Sequence, residues 1–281
     1  MEIISDSQRK VLQVLGGQPT TDGAGVKLTR VIGSHQCPQI DPFLLLDEFC
    51  SDESADYIGG FPDHPHRGFE TVSIMLDGAM RHEDSLGNSG HLRAGSVQWM
   101  TAGKGIVHSE MPEQVDGLLR GFQLWVNLPA SQKMCEPRYQ DIEPSEVPSV
   151  LVQKATIRII AGTVKGVVGP VTGVSIEPLL LDVRFPEKGT TSFKTPSSHA
   201  GFVYCYEGTL RVGDKTLSTG ELGILSKGDQ LTITSELSGC GLVCAGKPLN
   251  EPIVRWGPFV MNTDEEIRQA VTDYRSGSLG R

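Results

Sequence analysis

The sequence is short of basic residues, of aromatic residues and of long apolar runs, and each shortage removes a class of function. Lys and Arg number 25 against 34 Asp and Glu, a formal net charge of −9 at pH 7 and an isoelectric point near 5.3. A nucleic-acid binder needs a basic footprint to replace the counterions of phosphates, so direct DNA or RNA binding is not expected. No uninterrupted apolar stretch reaches the roughly 18 residues that a membrane-spanning helix needs. The opening MEIISDSQRK lacks the charged-then-apolar pattern of a secretion signal. Cys37, Cys50, Cys135, Cys205, Cys240 and Cys244 form no CxxC pair and none sits at zinc-finger spacing from a histidine. That absence points to reduced thiols in an intracellular protein, cytoplasmic or, in a eukaryote, also nuclear, with Cys240 and Cys244 read as core filler. Nucleotide and nucleophile signatures are missing too. The AGKG at Ala102–Gly105 lacks the spacing and the hydroxyl residue of a phosphate loop, and no GxSxG elbow occurs.

What is present in excess is glycine, 33 residues, with 17 prolines and only 6% aromatics. Such punctuation interrupts helices and suits short strands joined by tight turns. Short β-branched or apolar runs recur at Val26–Ile32, Thr71–Leu76, Ser96–Met100, Phe122–Asn127, Ala155–Ile160, Phe202–Tyr206 and Leu231–Thr234, the cadence of an all-β sandwich or barrel. One helix is predicted, Thr263–Tyr274. Thr263 and Glu266 form a capping box there, and Ile267, Ala270, Val271 and Tyr274 fall on one face.

A chain of 281 residues exceeds one small domain, and about 100–150 residues per domain is the natural division. The Pro- and acid-rich stretch at 137–148 reads as a linker between residues 1–136 and residues 149–281. The halves resemble each other: MLDG ending at Gly78 matches CYEG ending at Gly208, and LRAGSV around Gly95 matches LSTGEL around Gly220.

Chemistry concentrates in two short motifs. His64 and His66 stand two residues apart in GGFPDHPHRGFETV, and His108 and Glu110 stand two apart in GKGIVHSEMP. On a strand, residues i and i+2 point to the same face about 7 Å apart, whereas on a helix they diverge by about 200°. Two such pairs facing each other inside a barrel gather three imidazoles and a carboxylate around one point, which is a metal site. Neutral nitrogens plus one carboxylate, without thiolates, suit Fe(II) first and Mn, Ni, Cu or Zn as substitutes. Around a divalent ion this set carries a net charge of +1, favourable to an anionic oxygen chelate. Glu70, beyond His66, is read as a ligand, a hydrogen-bond acceptor behind the ligands or a general base. Of these the last two are preferred. His35, His82, His91 and His199 have no partner at ligand spacing and are assigned to the surface or to a hydrogen-bonded core.

Beyond those motifs, DPFLLLDEF at Asp41–Phe49, QWMTAGKGIVHSEMP at Gln98–Pro112, QLWVNLP at Gln123–Pro129 and EPIVRWGPFVMNT at Glu251–Thr263 resemble the pirin family of the cupin superfamily. The resemblance spans nearly the whole chain. It implies a bicupin of two β-barrel (jelly-roll) domains with a short C-terminal helix. It also implies a mononuclear iron in the N-terminal barrel on His64, His66, His108 and Glu110. Applying the repeat offsets takes His64, His66 and Glu70 to Lys194, Pro196 and Ala200, and His108 and Glu110 to Ile233 and Ser235. Every candidate ligand is lost, so a metal-free, structural C-terminal barrel is expected.

Three functions compete. The first is a quercetin 2,3-dioxygenase-like activity, in which a flavonol or related aromatic enediol presents two adjacent oxygens, Glu110 or Glu70 takes a proton, and ring cleavage releases carbon monoxide. The second, also implied by the resemblance, is an iron-dependent redox sensor that binds a protein partner, a transcriptional cofactor role or a metabolic enzyme among them. The third is metal storage without chemistry. A monomer is expected, with neither membrane nor nucleic acid as partner.

Overall fold

The glycines that carry the internal repeat also carry its geometry. Gly78 and Gly208, and likewise Gly95 and Gly220, all have positive φ, from 70° to 88°, a conformation that admits glycine without steric cost. Each pair turns the chain at the same place in one of two similar all-antiparallel β units. The structure is a computed structural model and describes residues 7–281.

One unit comprises Gln18–Gly33, Phe43–Pro144 and Leu249–Arg281. Its larger sheet has seven strands in the order Arg138–Ile142, Val97–Thr101, Phe69–Asp77, Leu119–Asn127, Phe43–Ser51, Val26–Ile32, Gln18–Asp22. A four-stranded sheet, ordered Phe61–His66, Ile106–Pro112, Ala79–Asp84, Ser89–Arg93, completes the barrel. The other unit comprises the described residues up to Gly17, Ser34–Pro42 and Ser145–Pro248. Its sheet runs Val11–Gly16, Glu221–Leu225, Ala200–Val212, Gly239–Gly246, Leu179–Phe185, Ala155–Ala161, Ser149–Val152. The two orders correspond strand for strand, so the duplication suggested by two short motifs extends through the whole topology.

Neither unit is a contiguous half of the chain, which corrects the expected boundaries at 136 and 149. Residues 137–148 are not a free linker: Arg138–Ile142 forms an edge strand paired with Val97–Thr101. Pro137 and Pro144 flank that strand rather than interrupt it, which an edge tolerates. The corresponding edge of the other unit is the early strand Val11–Gly16, paired with Glu221–Leu225. Arg9, just before it, is 2% exposed and spends its guanidinium on Thr195 Oγ1 and the carbonyls of Gly228, Ser226, Pro196 and His199, at 2.6–3.3 Å.

The segment after Leu249 adds a hairpin, Val254–Trp256 with Phe259–Met261, and the helix Asp264–Arg275. Thr263 caps that helix in a complete capping box with Glu266. The hairpin and helix are fixed to the first-described unit by buried polar contacts. Lys133 Nζ donates to Gly68 O at 2.7 Å, Asn127 Oδ1 at 2.7 Å and Val260 O at 2.9 Å. Arg67 pairs with Asp273 at 2.7 Å. No helix among the described residues is long and apolar enough to cross a membrane. All six cysteines are free thiols, with Cys37, Cys205 and Cys244 buried.

Candidate metal centre

The three histidines meet through strand register. His64 lies directly opposite His108 on the neighbouring antiparallel strand, and His66 lies opposite Ile106. A register shift beyond His108 sets Glu110 against Phe61. One ring nitrogen from each of His64, His66 and His108 lies within 4.8 Å of the others. Ring centroids are separated by 4.4 Å for His64 and His108, 4.7 Å for His64 and His66, and 5.0 Å for His66 and His108.

The chemistry of the nitrogens fits a metal ion. His64 Nδ1 lies 2.8 Å from Pro62 O; because a carbonyl only accepts, Nδ1 carries the proton and Nε2 is left with its lone pair. His66 and His108 are 2% and 1% exposed, and no nitrogen of either ring makes a hydrogen bond of good geometry. Each buried polar atom left unpaired costs about 1–3 kcal/mol, and buried groups normally find partners. Each neutral ring has one lone pair, and a cation that accepts one from His66 and one from His108 accounts for two of these four nitrogens. Burial first, then the neighbouring imidazoles, holds His66 and His108 well below the ordinary histidine range. Both rings are therefore neutral at physiological pH, the form that ligates.

Glu110 is buried beside this cluster, and its carboxylate is held from two sides. Ser73 Oγ lies 2.7 Å from Oε1, and Gln123 Nε2 donates to Oε2 at 3.0 Å. Ser73 Oγ is also 2.7 Å from Gln123 Oε1. Glu70 stands elsewhere: Thr101 Oγ1 donates to its Oε1 at 2.6 Å, and strand alternation places it on the face of Phe69–Asp77 opposite Ser73. Burial raises the Glu70 carboxyl above its ordinary range, with the Thr101 hydrogen bond opposing the rise.

Ser73 and Gln123 belong to a row that crosses the large sheet. Ladder pairings link Asp141 to Gln98, Gln98 to Ser73, Ser73 to Gln123, Gln123 to Asp47 and Asp47 to Arg30. Pairings in the other unit give the matching row Val14, Gly223, Val203, Val243, Leu181 and Ile159. One barrel thus lines this level with polar side chains where its duplicate fills it with apolar ones, and Val203, Val243, Leu181 and Ile159 are all fully buried. A buried polar row is retained against its desolvation cost only where its members are paired. Here Arg30 holds Asp47 through two hydrogen bonds, at 2.9 and 2.7 Å, and also reaches Asp22 at 2.7 Å. No local motif marked Ser73 or Gln123. The available signal was a polar residue at an inward position of an otherwise apolar strand.

A cavity of about 550 Å³ opens over the cluster, with His64, His66 and Glu110 at its floor. Leu28, Leu45, Phe49, Phe61 and Trp125 give it an apolar wall, and Gln123, Asp47 and Arg30 a polar one. Trp125 stacks edge-on to His66 at 5.3 Å. Among the remaining histidines, His35 is exposed, and His91 is exposed with Nδ1 2.6 Å from Glu113. His199 is buried, and Arg9 donates to its carbonyl. His82 is buried as well, but instead of hydrogen bonding it stacks on Tyr139 at 5.1 Å.

Two cupin barrels, one lined by a three-histidine cluster under an open cavity, define a bicupin of the metal-binding type. The sequence profile of the family described as Pirin matches residues 25–126, and that of the Pirin C-terminal cupin domain matches residues 180–280. A Pseudomonas aeruginosa protein is 50% identical over 96% of this chain and 98% of its own length. Its name assigns it quercetin 2,3-dioxygenase activity and itself marks that assignment as unproven. Human pirin is 38% identical over 98% of this chain and 95% of its own. The crystal structure of a quercetin 2,3-dioxygenase from Acinetobacter baumannii superposes with a TM-score of 0.90 at 34% identity, covering 98% of this chain and 99% of that one. The chain belongs to the pirin family.

Proposed function

We propose that this protein is a mononuclear non-haem iron oxygenase of the quercetin 2,3-dioxygenase type, acting on a flavonol or a related aromatic enediol. The observation that carries the reading is the convergence of His64, His66 and His108, the last two with unsatisfied nitrogens, beside a cavity of about 550 Å³ lined by His64, His66, Glu110 and aromatic side chains. The similarity to proteins named for that activity supports it.

His64, His66 and His108 hold the ion, and Glu110 completes the set. A divalent ion on three neutral imidazoles and one carboxylate supplies Lewis acidity towards a hydroxyl–carbonyl oxygen pair and, as iron, electrons for dioxygen. Glu110, which lines the cavity with His64 and His66, is the assigned base. Ser73 and Gln123 hold its carboxylate in place, and on loosening from the ion it is set to receive the substrate hydroxyl proton. Leu28, Leu45, Phe49 and Trp125 present flat apolar surface to the aromatic body and exclude water from it. Glu70, on the opposite strand face, stabilises the neighbouring strand through Thr101 and takes no part in proton transfer. The second barrel, apolar where the first is polar, serves as a structural partner without metal.

The test is an oxygen-uptake assay on iron-loaded protein, with loss of flavonol absorbance recorded in parallel. Coupled loss of oxygen and flavonol is expected. Protein that binds one iron yet consumes neither overturns the enzymatic reading in favour of redox-linked binding of a protein partner.

A further inference from the structure

The cavity is lined by two arginines, and they are not equivalent. Arg30 is paired with carboxylates, Asp47 on two hydrogen bonds and Asp22 on a third. Arg255 is carried by the Val254–Trp256 strand of the C-terminal hairpin and lies over the Trp125 ring, 4.7 Å from its centroid. Its one hydrogen bond is a long contact of 3.4 Å to Leu44 O, and no carboxylate among the described residues lies within ion-pair distance of it. Of the other acidic groups at the cavity, Glu110 is bound by Ser73 and Gln123, and Asp63 is exposed on the Phe61–His66 strand.

Arg255 shares a neighbour with the metal cluster. Trp125 meets His66 edge-on at 5.3 Å between centroids, packs on Phe69 at 4.4 Å and carries Arg255 over its ring. His64, His66, Trp125 and Arg255 line one cavity, so a planar ring with two adjacent oxygens over the histidines shares that cavity with the guanidinium. Packing over Trp125 and one long bond to Leu44 O leave the other guanidinium N–H groups to match a carboxylate with two parallel donors.

We infer that Arg255 is a specificity-determining residue that selects an anionic substrate: an aromatic enediol or catechol bearing a carboxylate on the side of the ring away from the metal. The inference rests on the metal-chelate reading above and narrows its substrate class. Asp47 and Asp22 attract Arg255 only at a distance, and both are already bonded to Arg30, so a cation lining a ligand cavity and backed by an aromatic face is left to recognise an anion. The hairpin that carries it is held to the barrel by the Lys133 contact to Val260.

The experiment measures binding alone, without turnover. Nickel-loaded protein is titrated calorimetrically, in the absence of oxygen, with 3,4-dihydroxybenzoate and with catechol. Wild-type protein is expected to bind the acid about tenfold more tightly than catechol. In Arg255→Gln, matched for nickel stoichiometry and melting temperature, that preference is expected to fall below about threefold, and Arg255→Lys to restore part of it. Equal affinity for the two probes in wild type, or a preference that survives Arg255→Gln, overturns the anion assignment while leaving the metal-chelate reading standing. Failure of both probes to bind nickel-loaded protein overturns the chelate reading and the inference with it.

Discussion

Replacing Lys133 by methionine removes the ammonium that joins the hairpin to the barrel while keeping a side chain of similar length. Lys133 is 1% exposed and donates to three oxygens, from Gly68, Asn127 and Val260. A hydrogen bond with a charged donor is worth about 1.5–3 kcal/mol, so the three contribute on the order of 6 kcal/mol. Burial opposes them. It pulls the Lys133 ammonium from 10.5 down to about 8, and at about 1.4 kcal/mol per pKa unit it takes back roughly half. The variant should therefore lose about 2–4 kcal/mol. Trp99, Trp125 and Trp256 are the three tryptophans of the chain, and all lie in the unit that contains Lys133. Urea unfolding followed by tryptophan fluorescence thus reports on the correct barrel. The pH dependence has a fixed sign. Because the folded-state value lies below the unfolded one, the unfolded chain binds more protons between about pH 8 and pH 10.5. Wild-type stability relative to Lys133→Met should rise across that window and stay flat below it. An unchanged unfolding midpoint, or a gap that narrows with rising pH, would refute the assignment.

Gln123→Leu removes the donor to Glu110 Oε2 at nearly constant volume, and iron affinity measured against a competing chelator should fall about 10- to 100-fold, as losses behind a ligand shell do. Arg9→Met strands the carbonyls and hydroxyl that its guanidinium satisfies and should destabilise the second barrel by about 3 kcal/mol. That unit contains no tryptophan among its described residues, so hydrogen exchange of the Val11–Gly16 and Glu221–Leu225 pair is the suitable readout. Loss of exchange protection confined to the other barrel would contradict the placement. Glu70→Gln should preserve iron binding and flavonol cleavage within about threefold, whereas Glu110→Gln should lower cleavage by 100-fold or more; equal losses in the two would contradict the division of roles.

Legibility in the sequence followed the range of the interactions concerned. Val26–Ile32 is a strand with the expected bounds, and the helix begins one residue after its predicted cap, because alternation and capping are local. The i, i+2 spacing brought His64, His66 and His108 together for the same reason: it fixes a face, and antiparallel pairing supplies the rest. Glu110 arrived beside them, bonded to Ser73 and Gln123. Residues 137–148 misled because prolines and acids mark an edge strand as readily as a linker, and only pairing with Val97–Thr101 separates the two. The assignment of Val11–Gly16 to the far barrel depends on a partner more than 200 residues away, and the segment carries no local sign of it. The polar row from Asp141 to Arg30 was equally hidden. Each member looks unremarkable in its own strand, and the row emerges only when register aligns six strands.

One barrel of this duplicated fold gathers three histidines suited to a single metal, and the other is apolar at the matching level. Elemental analysis of the purified protein tests it directly, with wild type beside His66→Ala and His108→Ala. One iron per chain is expected in wild type, with a loss of at least nine-tenths of it in each variant. Two metals per chain, or undiminished iron in either variant, would contradict it.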